Sequence, residues 1–348
     1  MTAAVVTVVT RSHMHRARCL MAGVQRHLPE ADRIVVLADR DADRRLGAQP
    51  FELVPVETLP VPDIDAFVHR YGPAELCFAT KPWALAELLR RGYDRAIYLD
   101  ADIVVYATLQ PMLAMLDTAS IMLTPHLTAV ARDGAGEDVI EFERRILQAG
   151  AYNAGFVGIA RGPDAAQFLS WWQDKLLRHC LVDVERGLVG DQRWLDLVPG
   201  MFDGVRVVRH PGWNFGRWNM DRHRLSVENG EFRVNGEPLV FCHFSGLLSG
   251  ADSPGQQQNP EASPAPMTHV QALIDDYATA LEREGAARYA KLPFAFARSP
   301  ARFRSESVYR LKSSTRHLLH AVTSTALRRR IQLWRRQRAH ARASKPVR

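Results

Sequence analysis

The sequence predicts an α/β fold in which helices flank a mixed, mainly parallel sheet. Continuous apolar runs rich in β-branched residues occur at residues 3–10, 34–38 and 97–99, the pattern of strands buried on both faces of a parallel sheet. A helical pattern lies between the second and third runs, so strand and helix alternate as in βαβ units. The chain has 348 residues, 47% of them hydrophobic, which is enough to bury a large core.

The helix predicted before the third strand has recognisable ends. Thr80 can cap its N-terminus, Pro82 is tolerated in its first turn, and Gly92 ends it. Three leucines share its apolar face: Leu85, Leu88 and Leu89. Further short strands are predicted at residues 121–123, 156–159, 205–208 and 239–242.

Composition divides the chain into a main domain, a linker and a C-terminal extension. Residues 251–266 consist largely of Pro, Ser, Gln, Gly and Asn, a composition typical of linkers. We therefore predict a main domain over residues 1–250. Residues 267–348 then form a helical, basic extension whose first helix is expected from residue 267 to about residue 284.

Positive charge is concentrated at the C-terminal end. Residues 302–348 carry fourteen Lys or Arg and one acidic residue, a net charge of +13, whereas the rest of the chain has 31 basic and 37 acidic residues, a net charge of −6. A partial apolar stripe that includes Trp334 runs through this tail, and basic amphipathic helices of this kind bind anionic membranes. A disordered, solubilising tail is the alternative. We expect no nucleic-acid partner, because the main domain has no recognition motif.

Several classes of protein are excluded by what the sequence lacks. It has no run of about 18 apolar residues that could span a bilayer, and the apolar stretch at residues 3–9 is short for a signal sequence, so we expect a cytoplasmic protein. The four cysteines form no CxxC pair and predict neither disulfides nor a zinc site. The motifs GxGxxG, GxxxxGK[ST], HExxH and GxSxG are missing, which argues against dehydrogenases, P-loop kinases, zinc proteases and serine hydrolases.

Two carboxylates follow the third buried strand. Asp100 and Asp102, separated by Ala101, project to the same side of an extended backbone about 7 Å apart. The carboxyl ends of strands in an open α/β sheet are where ligands bind, and hard oxygen ligands suit Mg²⁺ or Mn²⁺. Two acids and a divalent cation would attract a diphosphate. The alternative is a turn that is acidic without binding a metal.

An ordered set of motifs within residues 3–250 resembles the GT-A nucleotide-sugar glycosyltransferases, in particular bacterial enzymes similar to family 8. The motifs are Lys81-Pro82-Trp83, Tyr98-Leu99-Asp100-Ala101-Asp102, Tyr152-Asn153-Ala154-Gly155-Phe156, Gly190-Asp191-Gln192-Arg193-Trp194, Gly212-Trp213-Asn214, Trp218-Asn219 and Phe241-Cys242-His243-Phe244-Ser245-Gly246. The resemblance implies a GT-A, Rossmann-like fold for the main domain. It also implies that the bound ion is Mn²⁺ or Mg²⁺.

The resemblance implies roles for individual residues. Asp100, Asp102 and His243 would hold the metal on the donor diphosphate, and Asp191 and Gln192 would lie beside the anomeric carbon and the acceptor. The remaining candidates would contact the nucleotide-sugar donor: Thr10, Arg11, Asp39, Lys81, Asp100, Ala101, Asn153 and Gly246. A packed core histidine is the alternative for His243, and solvated charges are the alternative for Arg11 and Lys81.

The chain departs from the family pattern at two positions. Ser249 stands where these enzymes commonly have Lys, so a diphosphate contact is missing or comes from another base such as Arg217 or Arg222. Arg193 stands where an acid often follows the Asp-Gln pair. Trp213 and Trp218 lie in a predicted loop, where they line an acceptor cleft or pack internally.

The resemblance implies a function. The chain would be a metal-dependent hexosyltransferase, retaining in stereochemistry, that moves a sugar from a nucleotide diphosphate sugar, expected to be a UDP-sugar, to a hydroxyl of a glycan or lipid-linked acceptor. Surface polysaccharide or lipopolysaccharide synthesis, at the inner face of the plasma membrane, would suit the basic tail. Two alternatives stay open: a sugar nucleotidyltransferase, which the missing glycine-rich loop argues against, and a catalytically inactive GT-A fold that serves as a binding protein.

Overall fold

A seven-stranded sheet forms the centre of the protein, whose computed structural model describes residues 1–131, 136–247 and 267–296. The strands in chain order are β1 (Ala3–Val9), β2 (Asp32–Leu37), β3 (Glu52–Pro55), β4 (Arg95–Leu99), β5 (Ile103–Val105), β6 (Ile121–Pro125), β7 (Tyr152–Ala160), β8 (Val182–Asp183), β9 (Leu188–Val189), β10 (Val205–Val207), β11 (Phe215–Gly216), β12 (Leu225–Glu228), β13 (Glu231–Val234), β14 (Glu237–Pro238) and β15 (Phe241–His243). The central sheet has the order β10-β6-β7-β4-β1-β2-β3. Only β7 runs antiparallel to its neighbours, which confirms the predicted mixed, mainly parallel sheet.

Helices cover both faces of this sheet. They are α1 (Met14–His27), α2 (Ile64–Val68), α3 (Pro73–Arg90), α4 (Gln110–Met115), α5 (Glu137–Ala149), α6 (Pro163–His179), α7 (Val198–Met201), α8 (Met267–Arg283) and α9 (Ala286–Tyr289), with short 3₁₀ helices at Arg11–His13, Val56–Thr58, Val184–Arg186 and Gln192–Leu197. Successive residues of β1 point to opposite faces, so Val6 packs with α3 and α6 while Val5 packs with α1 and α4. Both faces of the strand are therefore buried, as its continuous apolar sequence predicts.

A smaller sheet brings the end of the main domain back to the centre. It has the order β11-β15-β5, and β15 pairs antiparallel with β5 so that His243 lies opposite Ile103. Because β5 begins immediately after Asp102, this register places His243 beside the two aspartates. A separate sheet of β12, β13 and β14 and the hairpin of β8 and β9 complete the strands of the described residues.

The helix α3 begins seven residues before the predicted cap, so the assignment of Thr80 as its N-terminus is wrong. Pro73 occupies the first turn, and the Glu75 carboxylate accepts a hydrogen bond of 3.1 Å from the Gly72 amide. Thr80 lies inside the helix, where its hydroxyl donates to the Leu76 carbonyl at 2.7 Å. Gly92, with φ of +104°, follows the last turn as predicted. Pro82 therefore lies in the interior of the helix rather than in its predicted first turn, and its carbonyl accepts a hydrogen bond of 3.3 Å from Gln173 of α6.

The C-terminal helices pack against the first helix of the main domain. Arg18 on α1 pairs with Glu284 just after α8 at 3.0 Å, and Tyr277 of α8 stacks on Phe244 with ring centroids 4.1 Å apart. The linker predicted at 251–266 and the basic tail at 302–348 lie outside the described residues, so the predicted domain boundaries stay a prediction. No helix within the described ranges is long and apolar enough to cross a membrane.

The chain that follows α9 crosses the carboxyl ends of β1 and β2. The Asp39 carboxylate accepts hydrogen bonds from the amides of Ala295 and Arg40, each at 2.8 Å, and from the amide of Arg11 at 3.2 Å. The Arg11 guanidinium donates to the Pro293 carbonyl at 2.8 Å. Asp39 thus joins three separate stretches of the chain from a position that is 1% exposed.

We expect Asp39→Ala to lower the free energy of unfolding by about 2–4 kcal/mol, because three backbone amides lose a charged acceptor in a buried place. Urea denaturation followed by circular dichroism would measure the change. Asp65→Ala is the matched control, since that side chain is 86% exposed. Equal stability of the two variants would contradict this role for Asp39.

Candidate active site

The two aspartates lie in a tight turn at the carboxyl end of β4. The strand ends at Leu99, and the Ile103 amide donates to the Asp100 carbonyl at 3.0 Å, which closes the turn. The prediction of extended backbone through Asp102 is therefore wrong, and Ala101 is the half-buried middle residue of the turn. Folding back brings the carboxylates closer than an extended strand would, so that one ligand atom from each lies within 4.8 Å of a His243 nitrogen.

His243 faces both carboxylates through one ring nitrogen. Its Nε2 lies 3.0 Å from Asp102 Oδ1 and 3.8 Å from Asp100 Oδ2. Burial opposes protonation of the ring, but Asp102 and Asp100 outweigh it and raise the pKa of His243. Burial likewise opposes ionisation of Asp102, and His243 outweighs it and lowers the pKa of that carboxyl. His243 is buried and hydrogen-bonded, as a satisfied core histidine would be, and its Nε2 also faces two carboxylates; its role as a metal ligand stays a prediction.

The other ring nitrogen of His243 is held by two asparagines. His243 Nδ1 lies 3.2 Å from Asn153 Oδ1 and 3.3 Å from Asn214 Oδ1, so an Nδ1–H donates to these oxygens and leaves Nε2 directed at the carboxylates. Asn214 in turn donates from Nδ2 to Thr124 Oγ1 at 2.8 Å. A histidine that ligates a metal usually donates its second N–H in this way, which fixes the ring and its tautomer.

Gly155 leaves room for the His243 ring, and Trp218 packs against that ring. A Cβ atom on Gly155 would lie 2.3 Å from His243 Cε1, so no side chain fits there. Trp218 makes a T-shaped contact with the ring, with centroids 5.0 Å apart. Trp218 is 5% exposed and Trp213 is 4% exposed and packs on Phe156 and Phe241, so both tryptophans pack internally. The alternative of a cleft lined by these rings does not fit that burial.

Lys81 links the metal ligands to the second predicted pair. Its ammonium is buried and lies 3.0 Å from Asp100 Oδ1, 2.8 Å from Asp191 Oδ2 and 3.0 Å from the Ala154 carbonyl. Burial opposes its charge, but the two carboxylates outweigh it and raise the pKa of Lys81. Burial of Asp191 raises the pKa of that carboxyl to about 6 even though Lys81 acts in the opposite direction. Lys81 is thus an internal counter-charge rather than a solvated surface lysine.

Asn153 and Gln192 meet beside this ion pair. Gln192 Oε1 lies 3.3 Å from both Asn153 Nδ2 and the Ala154 amide, while its Nε2 donates to the Ala149 carbonyl at 2.9 Å. Asn153 also lies 3.1 Å from Nε2 of His126, a buried residue that the sequence analysis missed. Burial lowers the pKa of His126 to about 4, so its neutral ring accepts this hydrogen bond. No spacing or motif around His126 distinguishes it in the sequence.

Other predicted donor contacts form a neighbouring group at the ends of β1 and β2. Arg11 is 4% exposed and pairs with Asp43 at 2.7 Å, with Asp41 at 3.7 Å and with Asp39 at 3.8 Å. Thr10 Oγ1 lies 3.0 Å from Ser12 Oγ. Arg11 is thus ion-paired within the protein, apart from the point where the predicted metal ligands meet.

The bases considered for the missing diphosphate contact occupy different surroundings. Arg217 Nη1 donates to the carbonyl of Gly246 at 3.3 Å, just beyond β15. Arg222 is buried and pairs with Glu143 at 3.0 Å while donating to the Ala129 carbonyl at 2.9 Å. Ser249 lies outside the described residues.

The residues present fit a divalent cation. Asp100, Asp102 and His243 offer two carboxylate oxygens and an imidazole nitrogen, a donor set that suits Mn²⁺ or Mg²⁺ when water and a phosphate complete the coordination. In the part of the chain that the structure describes, this is the group of three such side chains close enough to share an ion. The Nδ1 hydrogen bonds of His243 give independent support, because they orient the ring as a metal ligand requires.

Proteins similar to this chain are known by sequence and by structure. No protein-family model matches. Two uncharacterized proteins of Bacillus subtilis (strain 168) are similar in sequence. YfnF is 27% identical over 252 residues, which covers 71% of this chain and 82% of YfnF. YfnD is 26% identical over 248 residues, which covers 69% of this chain and 76% of YfnD.

Three solved structures are similar over most of the chain. The galactosyltransferase LgtC, in complex with donor and acceptor sugar analogues, is 15% identical with a TM-score of 0.43, and the match covers 83% of this chain and 97% of LgtC. The glycosyltransferase GlyE of Streptococcus pneumoniae TIGR4 is 14% identical with a TM-score of 0.43, covering 84% of this chain and 66% of GlyE. Mouse xyloside xylosyltransferase 1 is 14% identical with a TM-score of 0.42, covering 73% of this chain and 99% of that protein.

Lys81→Met should lower the free energy of unfolding by about 3–5 kcal/mol, because it leaves Asp100 and Asp191 in a buried place without their counter-charge. Adding Asp191→Asn should recover part of the loss, since one of the two unpaired charges is then gone. Chemical denaturation of the single and double variants would measure both effects. Lys291→Met, at an exposed position, is the control. If the two lysine variants lose equal stability, the buried ion pairs do not have this role.

Proposed function

We propose that the protein is a metal-dependent GT-A glycosyltransferase that moves a sugar from a nucleotide diphosphate sugar to a hydroxyl group. The observation that carries the proposal is the convergence of Asp100, Asp102 and His243, with ligand atoms within 4.8 Å of one another, at the carboxyl end of a parallel strand. In the central sheet, β2 and β3 are added on one side of β1, whereas β4 pairs with the other side of β1. The direction in which strands are added therefore reverses between β1 and β4. Open α/β sheets bind ligands at such a reversal.

Asp100, Asp102 and His243 would hold Mn²⁺ or Mg²⁺. When bound, the ion supplies Lewis-acid neutralisation of the charge that develops on the leaving diphosphate. His243 must give up the proton on Nε2 before it can ligate, and the adjacent carboxylates favour that proton. Metal affinity should accordingly rise with pH until the ring is neutral in the free protein.

We assign Asp191 and Gln192 to the region of the reacting sugar. Asp191 is 3% exposed and its Oδ2 lies 2.8 Å from Lys81, an enclosed and ion-paired position that suits a fixed negative charge. A general base must reach the acceptor proton, and this placement is unfavourable for that role. From the motif resemblance we propose retention of configuration, with Asp191 and Gln192 steadying a positively charged sugar rather than deprotonating the acceptor.

The remaining contacts to the donor are assigned by their position at the sheet edge. Asn153 would orient His243 as well as face the sugar, given its hydrogen bonds to His243 and Gln192. Thr10, Arg11 and Asp39 would lie toward the nucleoside, where Asp39 already accepts three backbone hydrogen bonds, and Ala101 and Gly246 would lie along the diphosphate. A UDP-sugar as donor and a glycan or lipid-linked acceptor, in surface polysaccharide or lipopolysaccharide synthesis, are proposed from the motif resemblance.

We expect Mn²⁺- or Mg²⁺-dependent hydrolysis of a UDP-sugar by the purified protein, and its loss on addition of EDTA. Asp102→Asn should remove most of this activity, because a neutral amide is a poor ligand and no longer balances the ion. The metal-free variant should unfold at a lower temperature, because Asn no longer balances the charge of His243, so activity is compared at a temperature where both proteins are folded.

A panel of nucleotide sugars with release of free UDP as the readout would test this expectation. Asp174→Asn, exposed on α6, is the control and should retain full activity. Full turnover in EDTA would overturn the metal assignment. Pyrophosphate release from a nucleoside triphosphate would instead indicate a nucleotidyltransferase, and activity on neither substrate would leave a binding protein.

We also propose that the basic tail at residues 302–348 holds the enzyme at the anionic inner face of the plasma membrane. A net charge of +13 gains on the order of 1 kcal/mol for each base that reaches an anionic surface, within a Debye length of it. A partial apolar stripe can add buried area. This placement would suit a lipid-linked acceptor.

Truncation after Ser299 should abolish salt-sensitive sedimentation with vesicles rich in anionic lipid and leave hydrolysis of a soluble donor intact. The expectation follows because the motifs of the proposed site all precede residue 250, while the net positive charge follows Ser299. Vesicles of neutral lipid serve as the control. Equal sedimentation of the full-length and truncated proteins would contradict membrane binding by the tail.

A further inference from the structure

Arg16 is a cationic side chain at the edge of the candidate metal site. It lies in the first turn of α1, directly after β1 and its short 3₁₀ helix, and its Nη1 is 3.9 Å from Asp102 Oδ2. The side chain is 34% exposed, so it reaches both the carboxylate and solvent. The 3.9 Å ion pair is longer than a hydrogen bond, so the partly exposed side chain of Arg16 keeps donor capacity that its contact with Asp102 does not use.

Other cations near the sheet edge are held by internal partners. Lys81 is enclosed between Asp100 and Asp191, and it also donates to a carbonyl. Arg11 is buried among three aspartates, and Arg222 is buried against Glu143. Arg16 differs from these three because it is partly exposed and its ion pair with Asp102 is long.

We propose that Arg16 binds the diphosphate of the donor once Asp102 is bound to the metal, an inference that rests on the proposed function. In the metal-free protein the guanidinium and His243 both balance the charge of Asp102. With a divalent cation bound, Asp102 would no longer need the guanidinium, and Arg16 would be repelled from the carboxylate. The anion that the same cation attracts is a diphosphate, and arginine binds phosphate oxygens through its parallel N–H groups.

Arg16 should have opposite effects on the binding of the divalent cation and on the binding of the diphosphate. Its positive charge disfavours a bare divalent cation at Asp102 and favours a diphosphate on that cation. A residue that merely supports the local fold would weaken both ligands together when it is removed. The opposite signs therefore separate an electrostatic contact with the diphosphate from a structural role.

Arg16→Gln removes the charge and keeps a polar side chain of similar reach. In isothermal titration calorimetry of the full chain without a diphosphate, we expect Mn²⁺ to bind the Arg16→Gln variant roughly two- to tenfold more tightly than it binds the unchanged protein. With Mn²⁺ saturating, UDP and inorganic pyrophosphate should each bind roughly ten- to hundredfold more weakly. Arg16→Lys should recover part of the affinity for the diphosphate probes, because the charge is restored without the fork of donors.

Arg18→Gln is the matched control. It removes the same charge from the same helix, but Arg18 pairs with Glu284 at 3.0 Å rather than with the site, so affinities for Mn²⁺, UDP and pyrophosphate should stay unchanged. Unchanged diphosphate affinity in Arg16→Gln, or weakening of Mn²⁺ and UDP alike, would overturn the proposal for Arg16. If the unaltered protein binds neither Mn²⁺ nor UDP, the proposed function itself fails.

Discussion

Charge balance around Lys81 is the constraint on which the site depends. Asp100 and Asp191 approach the same buried ammonium from different parts of the chain, at 3.0 and 2.8 Å. Two unit charges about 4 Å apart interact by about 4 kcal/mol at an effective dielectric constant near 20. Without a cation between them, the two carboxylates would repel each other in a buried place. Lys81 therefore allows the turn that carries Asp100 and the segment that carries Asp191 to meet at one end of the sheet.

Neutral groups fix the orientation of His243, the third residue of the candidate metal site. Asn153 and Asn214 hold Nδ1 of His243, Gly155 leaves room for the ring, and Trp218 packs against it. The pairing of β15 with β5 brings the histidine to this place. The proposed metal ligand His243 is thus already oriented in the metal-free protein, which would lower the conformational cost of binding an ion.

The stretch after α9 ties the two ends of the described chain together at the sheet edge. Asp39 accepts from Ala295, and Arg11 donates to Pro293, so residues far apart in sequence meet over the ends of β1 and β2. Phe296, 3% exposed, packs under Arg40 with 5.1 Å between the guanidinium carbon and the ring centroid. The region assigned to the nucleoside is therefore built partly from residues beyond the motif-bearing part of the chain.

The sequence by itself determined the α/β class and the buried strands, because periodicity and apolar runs report burial directly. It also placed Asp100 and Asp102 after a strand. Only the tertiary structure decided that these residues lie in a turn, that Lys81 faces two carboxylates, and that Arg16 and Asn214 reach the same site. Those contacts join residues distant in sequence through strand register and helix packing, and local pattern carries no information about such distances.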